Sequence, residues 1–287
     1  MSVLLDELAV PPAARFAIRA VGRPLGWFGR AGDPDLPPVA RALQAMGPAY
    51  VKFGQILSTR PDVVGRVIVE QLRVLQDRLP PFSLEEARAA IEYEHGPRIW
   101  ELIDDLDYPV AAASIAQVHP ARWKPTGRRI AVKVLRPNVR DQFRRDIGAF
   151  YFIAGSLEAV IPGTRRLRPT AVVEHFESVV ETELDLRLEA AAASLFRENS
   201  AEDPKFYVPE VFWSGTGRRV LTLEWVEGLP VDAEILERHG VDISDVALRI
   251  IRTFLSHALR DGYFHADMHQ GNLRVRPDGT VVALDFG

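Results

Sequence analysis

Apolar positions in residues 38–79 recur three and four apart, the period of a helix. Gly47-Pro48 opens one predicted helix, with Tyr50, Phe53, Ile56 and Leu57 along one side. A second follows Pro61 through Val64, Ile68, Leu72 and Leu75, and Pro80-Pro81 stops it. Ser83 with Glu86 is a capping-box pattern and opens a third. From about Pro109 the period shortens. Ala116–Trp123 and Arg129–Leu135 read as the strands of a hairpin turning near Gly127. Pro137 ends the second strand, and a helix is predicted over Val139–Val160. One long helix is predicted after Pro169, with Thr170 as its cap, to about Asn199. Val208–Trp213 and Arg219–Val226 predict a second hairpin around Gly215-Thr216-Gly217, and Glu227-Gly228-Leu229-Pro230 a hinge. An amphipathic helix is predicted over Asp245–Asp261, and two short strands flank Pro277-Asp278-Gly279.

The order implies four parts: an N-terminal segment over residues 1–37, a helical stretch over 38–108, a small sheet with helices over 109–228, and a further helical part over 229–287. The first part mixes Arg15, Arg19, Arg23 and Arg30 with Phe16, Ile18, Val21, Trp27 and Phe28. It reads as a helix docked on the core, ahead of the alternative of a segment lying on an anionic membrane.

Composition narrows the function. The 287 residues are 47 % hydrophobic and 26 % charged, which is ordinary for a globular chain. The formal net charge of −4 disfavours a dedicated nucleic-acid binder. There is no cysteine, so thiol nucleophiles, disulfides and Cys-held metals are excluded. The start carries Asp6 and Glu7 where a signal peptide is basic. The most apolar run, Ile147 to Gly163, is broken by Glu158 and is short for a membrane span.

The candidate chemistry begins at His265-Ala266-Asp267-Met268-His269-Gln270-Gly271-Asn272, which fits the protein-kinase catalytic loop H-x-D-x-x-x-x-N. Phosphoryl transfer needs a carboxylate to orient the acceptor and oxygen ligands for Mg²⁺. Asp267 fits the first role and Asn272 the second. A metal site on His265, Asp267 and His269, or a purely structural polar loop, are the alternatives. Thirteen residues on, Asp285-Phe286-Gly287 follows a predicted strand and offers Asp285 as a second metal ligand. Ile130-Ala131-Val132-Lys133 fits the strand lysine motif V-A-I-K. Its apolar neighbours demand an acidic partner, and Glu183, Asp185 and Glu189 are the candidates. Upstream, Ala111, Ala113 and Ala116 stand in register with the three glycines of a kinase phosphate loop. Alanine resists the positive φ and close backbone approach that glycine allows, so the phosphate grip must differ. Ala266 replaces the Arg that receives an activation-loop phosphate in regulated kinases, so that switch is not expected.

Over residues 38 to 287 the chain resembles the UbiB/ADCK family of atypical kinases. Lys52-Phe53-Gly54-Gln55 matches the family's KxGQ motif, Glu183-Leu184-Asp185 its ExD motif, and the alanine-rich loop its own phosphate loop. Gln270 departs from the usual proline of H-P-G-N. The resemblance implies an α+β, protein-kinase-like two-lobed fold with an N-terminal helical extension and an incomplete second lobe, since members continue beyond the position of Gly287. It implies that ATP or ADP is bound with Mg²⁺. It further implies that Glu189 fixes Lys133, and that Val110, Ala111, Ala112, Ala113, Ser114, Ile115, Ala116, Gln117 and Val118 form a lid over the nucleotide. Glu183, Asp185 and Lys52 would face the nucleotide. Members serve ubiquinone production at the bacterial inner membrane, so contact with membrane lipid and with biosynthetic enzymes is implied, on the cytoplasmic face. An ATPase or small-molecule kinase is thus expected. The rivals are an aminoglycoside- or choline-type phosphotransferase, which lacks KxGQ, and a non-catalytic, nucleotide-gated lipid-binding scaffold.

Overall fold

A computed structural model describes residues 35–75, 80–264 and 268–286. The reading of residues 1–34 therefore lies outside the described residues. In chain order the helices are α1 (Pro38–Met46), α2 (Pro48–Ser58), α3 (Pro61–Val64), α4 (Arg66–Leu72), α5 (Leu84–His95), α6 (Val139–Val160), α7 (Pro169–Glu183), α8 (Leu186–Asn199), α9 (Ala233–Arg238) and α10 (Ile243–Ser256). The strands are β1 (Ile103–Asp104), β2 (Ala111–Ala112), β3 (Ala116–Trp123), β4 (Arg128–Leu135), β5 (Phe206–Tyr207), β6 (Val220–Glu224), β7 (Leu229–Pro230), β8 (Leu273–Val275) and β9 (Val281–Ala283).

By their contacts the residues form two compact units. One holds the described residues up to Pro80 with Ala112–Ile115 and Asn138–Glu181, and the other holds the remaining described residues. In the first, helical unit, α1, α4 and Leu75 build a small core of Ala40, Ile68, Leu72 and Leu75. Phe53 stacks on Phe150, 4.6 Å between centroids, and meets Phe176 edge-on, so α2, α6 and α7 share an aromatic seam. Gly54 lets α2 approach closely: a Cβ there would stand 2.5 Å from a Leu75 methyl and 2.7 Å from a Leu43 methyl. The helix predicted after Pro61 is interrupted at Gly65, whose φ of 79° ends α3 and starts α4.

In the second unit a five-stranded sheet runs β1-β3-β4-β6, with β2 beside β3. The β3–β4 hairpin lies where the alternating pattern predicts it, with Val118 opposite Lys133. Ile130, Val132 and Val134 are fully buried against Ile91 of α5 and its neighbours. Strand alternation therefore turns Ala131 and Lys133 to the other face. A four-stranded sheet, β5-β9-β8-β7, follows, with β5 parallel to β9. The α5 capping box is formed by Ser83 and Glu86 as its sequence predicts.

Four further expectations are corrected. The long helix over 170–199 is two helices, because Asp185 leaves the helical path and caps α8 through the Arg187 N–H. Thr170 lies in the first turn of α7, its N–H donating to Glu158 of α6, and is no cap. Val208–Trp213 is not a strand: only Val211 bridges to Leu223, because the N–H groups that would extend the ladder go to side chains, Glu210 to the Glu224 carboxylate and Thr222 to the Thr216 hydroxyl. The expected hinge at 227–230 is partly sheet, as β7 pairs with β8.

Candidate active site

The exposed face of β4 carries the chemistry. Lys133 donates from Nζ to both carboxylate oxygens of Glu189, each at 2.8 Å, and lies 3.4 Å from an oxygen of Asp285. Glu189 reaches it from the first turn of α8, where the helix packs against β6, the neighbour of β4. The Glu189 side chain is 6 % exposed, Lys133 20 % and Asp285 43 %. The trio thus grades from a buried acid to an acid that meets solvent.

Burial works against the Lys133 ammonium, but Glu189 and Asp285 outweigh it and raise its pKa above the ordinary lysine range. Burial likewise pushes the Glu189 carboxyl up, while Lys133 pulls it down. Bidentate contact with a charged amine decides between these pulls, and we read the pair as ionised.

Asn272 and Asp285 flank one end of the β8–β9 hairpin. Leu273 pairs with Ala283, and the Leu284 N–H donates to the Asn272 carbonyl at 2.9 Å. Asn272 closes a short turn in which the His269 ring accepts from the Gly271 N–H. One carboxylate and one amide are hard oxygen donors of the kind Mg²⁺ takes, so these residues fit that ion. Among the described residues there is no cluster of three His, Asp or Glu side chains suited to a metal.

The remaining expected site residues are placed as follows. Asp267 and His265 lie outside the described residues. Lys52 sits part-buried on α2 in the helical unit, between the buried Val51 and Gly54. In the loop, the Val110 N–H donates to the Val118 carbonyl. Among described non-glycine residues, positive φ occurs at Asp105, Asn138, Arg168 and Lys205, so none of Ala111–Ala116 needs it. Ser114 is buried. Glu183 ends α7, and its charge adds to the upward push on Glu189.

Two residues expected over the nucleotide have their side chains committed elsewhere. Asp185 accepts from Arg187 at 2.6 and 2.8 Å and pairs with Arg218 at 3.3 Å. These arginines hold its carboxyl below the usual range. The Gln117 amide lies in the core, accepting from the Phe82 N–H at 3.0 Å and donating to the Phe82 carbonyl at 3.2 Å. It also meets His119 at 2.7 Å. Because His119 Nδ1 faces the Asp107 carbonyl, Nδ1 carries the proton and Nε2 accepts from Gln117. Gln117 and His119 are two apart, in phase with Ala121 and Trp123, and that alternation is the sequence signal for their inward direction.

Phe82, His119 and Phe196 were not among the expected residues. Phe196 of α8 lies 5.4 Å from Phe286, the residue after Asp285, and so joins the Glu189 helix to the Asp285 segment. Only an aromatic seven residues beyond Glu189 on the same helix hints at it in the sequence.

The ABC1 atypical kinase-like domain family matches residues 74–287. A probable protein kinase UbiB of Marinobacter nauticus is 42 % identical over 86 % of this chain and 46 % of its own length. The one from Aeromonas salmonicida is 39 % identical over 99 % of this chain and 53 % of its own. The chain spans about half the length of these curated relatives. Among solved structures, Mycobacterium tuberculosis Rv3197, in complex with erythromycin, is similar at 28 % identity with a TM-score of 0.60. That likeness covers 96 % of this chain and 65 % of that one. Alanines where a kinase has glycines, a strand lysine clasped by a helix glutamate and the match over three quarters of the sequence have one reading: the chain belongs to the ABC1 atypical kinase-like family.

Proposed function

We propose that this chain carries the nucleotide site of an atypical kinase or ATPase that serves ubiquinone biosynthesis. The observation that carries the proposal is the Lys133 ammonium clasped by both oxygens of Glu189 with Asp285 beside it. A buried acid that immobilises a lysine fixes its charge, and only the long 3.4 Å contact to Asp285 has to yield for a phosphate oxygen to take the third N–H. Lys133 would hold the α- and β-phosphates of ATP, and Asn272 and Asp285 would hold Mg²⁺. When bound, the ion and nucleotide supply a transferable phosphoryl group with its negative charge neutralised. Asp267 orients the acceptor, water or a hydroxyl, and takes its proton. Catalysis of this kind is chiefly positioning and electrostatics, so a rigid amine and fixed carboxylates are the main requirement. The loop over residues 110–118, apart from the core-facing Gln117, belongs to the same proposal as its nucleotide-facing part, together with Glu183 and Asp185. Lys52 belongs to it as a residue that turnover requires.

The test uses the full-length protein with Asp267→Asn. ADP release is expected to fall by roughly a hundredfold or more while Mg²⁺-dependent nucleotide affinity holds. Undiminished release would show that Asp267 does not handle the proton.

A further inference from the structure

Gln117 and His119 are buried polar side chains that the phosphate chemistry does not use. They alternate along β3 with Val118, which stands opposite Lys133. The two therefore lie behind the strand face that carries the lysine. The Gln117 amide is saturated. Its oxygen accepts from the Phe82 N–H, and its nitrogen donates one N–H to the Phe82 carbonyl and the other to His119 Nε2. His119 Nδ1 donates to the Asp107 carbonyl at 2.7 Å. The Asp107 N–H in turn donates to the Pro120 carbonyl at 3.0 Å, and the Val110 N–H to the Val118 carbonyl at 2.9 Å. The pair thus fastens the lead into α5, the chain before β2 and β3 itself. Val110 and Val118, the two ends of the loop over residues 110–118, both belong to the second unit and are held from behind.

The amide has one workable orientation. Turned over, it would set oxygen against the Phe82 carbonyl and its NH₂ against the Phe82 N–H. The arrangement therefore requires a neutral His119 with Nε2 bare. Burial keeps it so, holding His119 below the ordinary histidine range against the opposing pull of the Asp107 carbonyl and carboxylate. The Asp107 carboxylate accepts from the Tyr108 N–H. Arg136 lies over the Phe82 ring, which meets His119 edge-on. From β4 the residue opposite His119 is the buried Val132, and α5 adds Ile91 to the same core.

We propose that Gln117 and His119 are positioning residues for the nucleotide: neutral His119 holds the loop over residues 110–118 in its binding posture, and protonation of His119 releases it. The inference rests on the nucleotide reading above. A protonated ring would set its Nε2 N–H against the Gln117 NH₂ at 2.7 Å. A released loop is in the competent posture for a smaller fraction of the time, and apparent affinity falls by that fraction.

The test measures Mg²⁺-dependent ADP binding by the full-length protein from pH 8 to pH 5. Amide exchange over residues 110–118 is followed in parallel without nucleotide. His119→Leu removes the acceptor and is expected to weaken binding at pH 7.5 by roughly tenfold. His119→Gln supplies an oxygen acceptor that does not titrate. It is expected to recover most of that loss, and to bind better than the unsubstituted protein at pH 5. Loop exchange in the unsubstituted protein should quicken towards pH 5 relative to His119→Gln at the same pH. Affinity profiles of the two that run parallel overturn the proposal, as does ADP binding at full strength by His119→Leu. Binding that Lys133→Ala leaves unchanged would count against the nucleotide reading instead. The exchange comparison still decides the hold on the loop in that case, and equal exchange at pH 5 would overturn it.

Discussion

Lys133 sits in a strand whose inward residues are fully buried, and its charge is held by one buried and one half-exposed acid. Removing one partner of such a pair leaves an uncompensated charge, at a cost of about 3–5 kcal/mol when nothing else compensates. Asp285 remains beside Lys133, so Glu189→Gln is expected to cost less, about 2–3 kcal/mol in chemical denaturation. Nucleotide affinity should fall with it. Lys133→Met acts with the opposite pH sign. Without the amine, burial and the charges of Asp285 and Glu183 all act on Glu189 in one direction and keep its folded pKa above the unfolded value near 4.3. The protonated form is then favoured in the fold, so stability is highest below that value and is lost as pH rises through the folded pKa. Melting temperatures of Lys133→Met should therefore fall from pH 5 to pH 8 relative to the unsubstituted chain. A parallel profile would mean that Glu189 stays ionised without its amine.

At the scale of elements, the α7–α8 break does for Glu189 what β4 does for Lys133. Asp185 caps α8, grips Arg187 and reaches Arg218 beside β6, so it fixes where the first turn of α8 starts. Asp185→Ala is expected to lower stability by about 1–2 kcal/mol, whereas Asp185→Asn keeps most of the cap and costs less. Equal losses would mean that the ion pairs, not the cap, matter. In the helical unit, Gly54→Ala sets an overpacking cost of about 1–3 kcal/mol against about 1 kcal/mol gained in helix propensity. A net loss of up to about 2 kcal/mol is expected, and Gly54→Ala should cost less when made in a Leu75→Ala background. Here the limits of the sequence are physical. The β3–β4 hairpin, α6 and the α5 cap follow local periodicity and punctuation, so they were legible. Thr182-Glu183-Leu184-Asp185 holds no glycine or proline, and its break depends on arginines from two directions, one of them thirty-odd residues away. The bond between Gln117 and Phe82 spans a similar distance. For Lys133 the demand for charge balance left Glu183, Asp185 and Glu189 open and only the family resemblance singled out Glu189, while Phe196 carried no chemical signature.

In the whole second unit, carboxylates do much of the tying between elements. Asp185 links α8 to Arg218 before β6, and Asp203 holds His257 and Arg260 after α10. Glu224 of β6 takes the Tyr207 hydroxyl of β5 and Arg128 of β4. Arginine partners hold Asp185 and Asp203 low, and at Glu224 the hydrogen bonds and Arg128 overcome burial to the same end. Each folded pKa lies below its unfolded value near 4, so the stability they add is present above pH 4 and is lost as pH falls through the folded values. Melting temperature should decline steeply below about pH 4. Amide exchange in β5, β6 and α8 should accelerate before that of α2 and α6. Uniform loss across both units would refute this distribution of charge.

The parallel pairing of β5 with β9 has a mechanical corollary. Phe206 follows the end of α8 by seven residues and lies beside Val281, four residues before Asp285. The two acids that flank the lysine are thus moored to one short rung, with the Phe196–Phe286 contact as a second tether. Displacing α8 outward would drag the far acid along with the near one, so the amine would lose both anions in a single motion and not by stages.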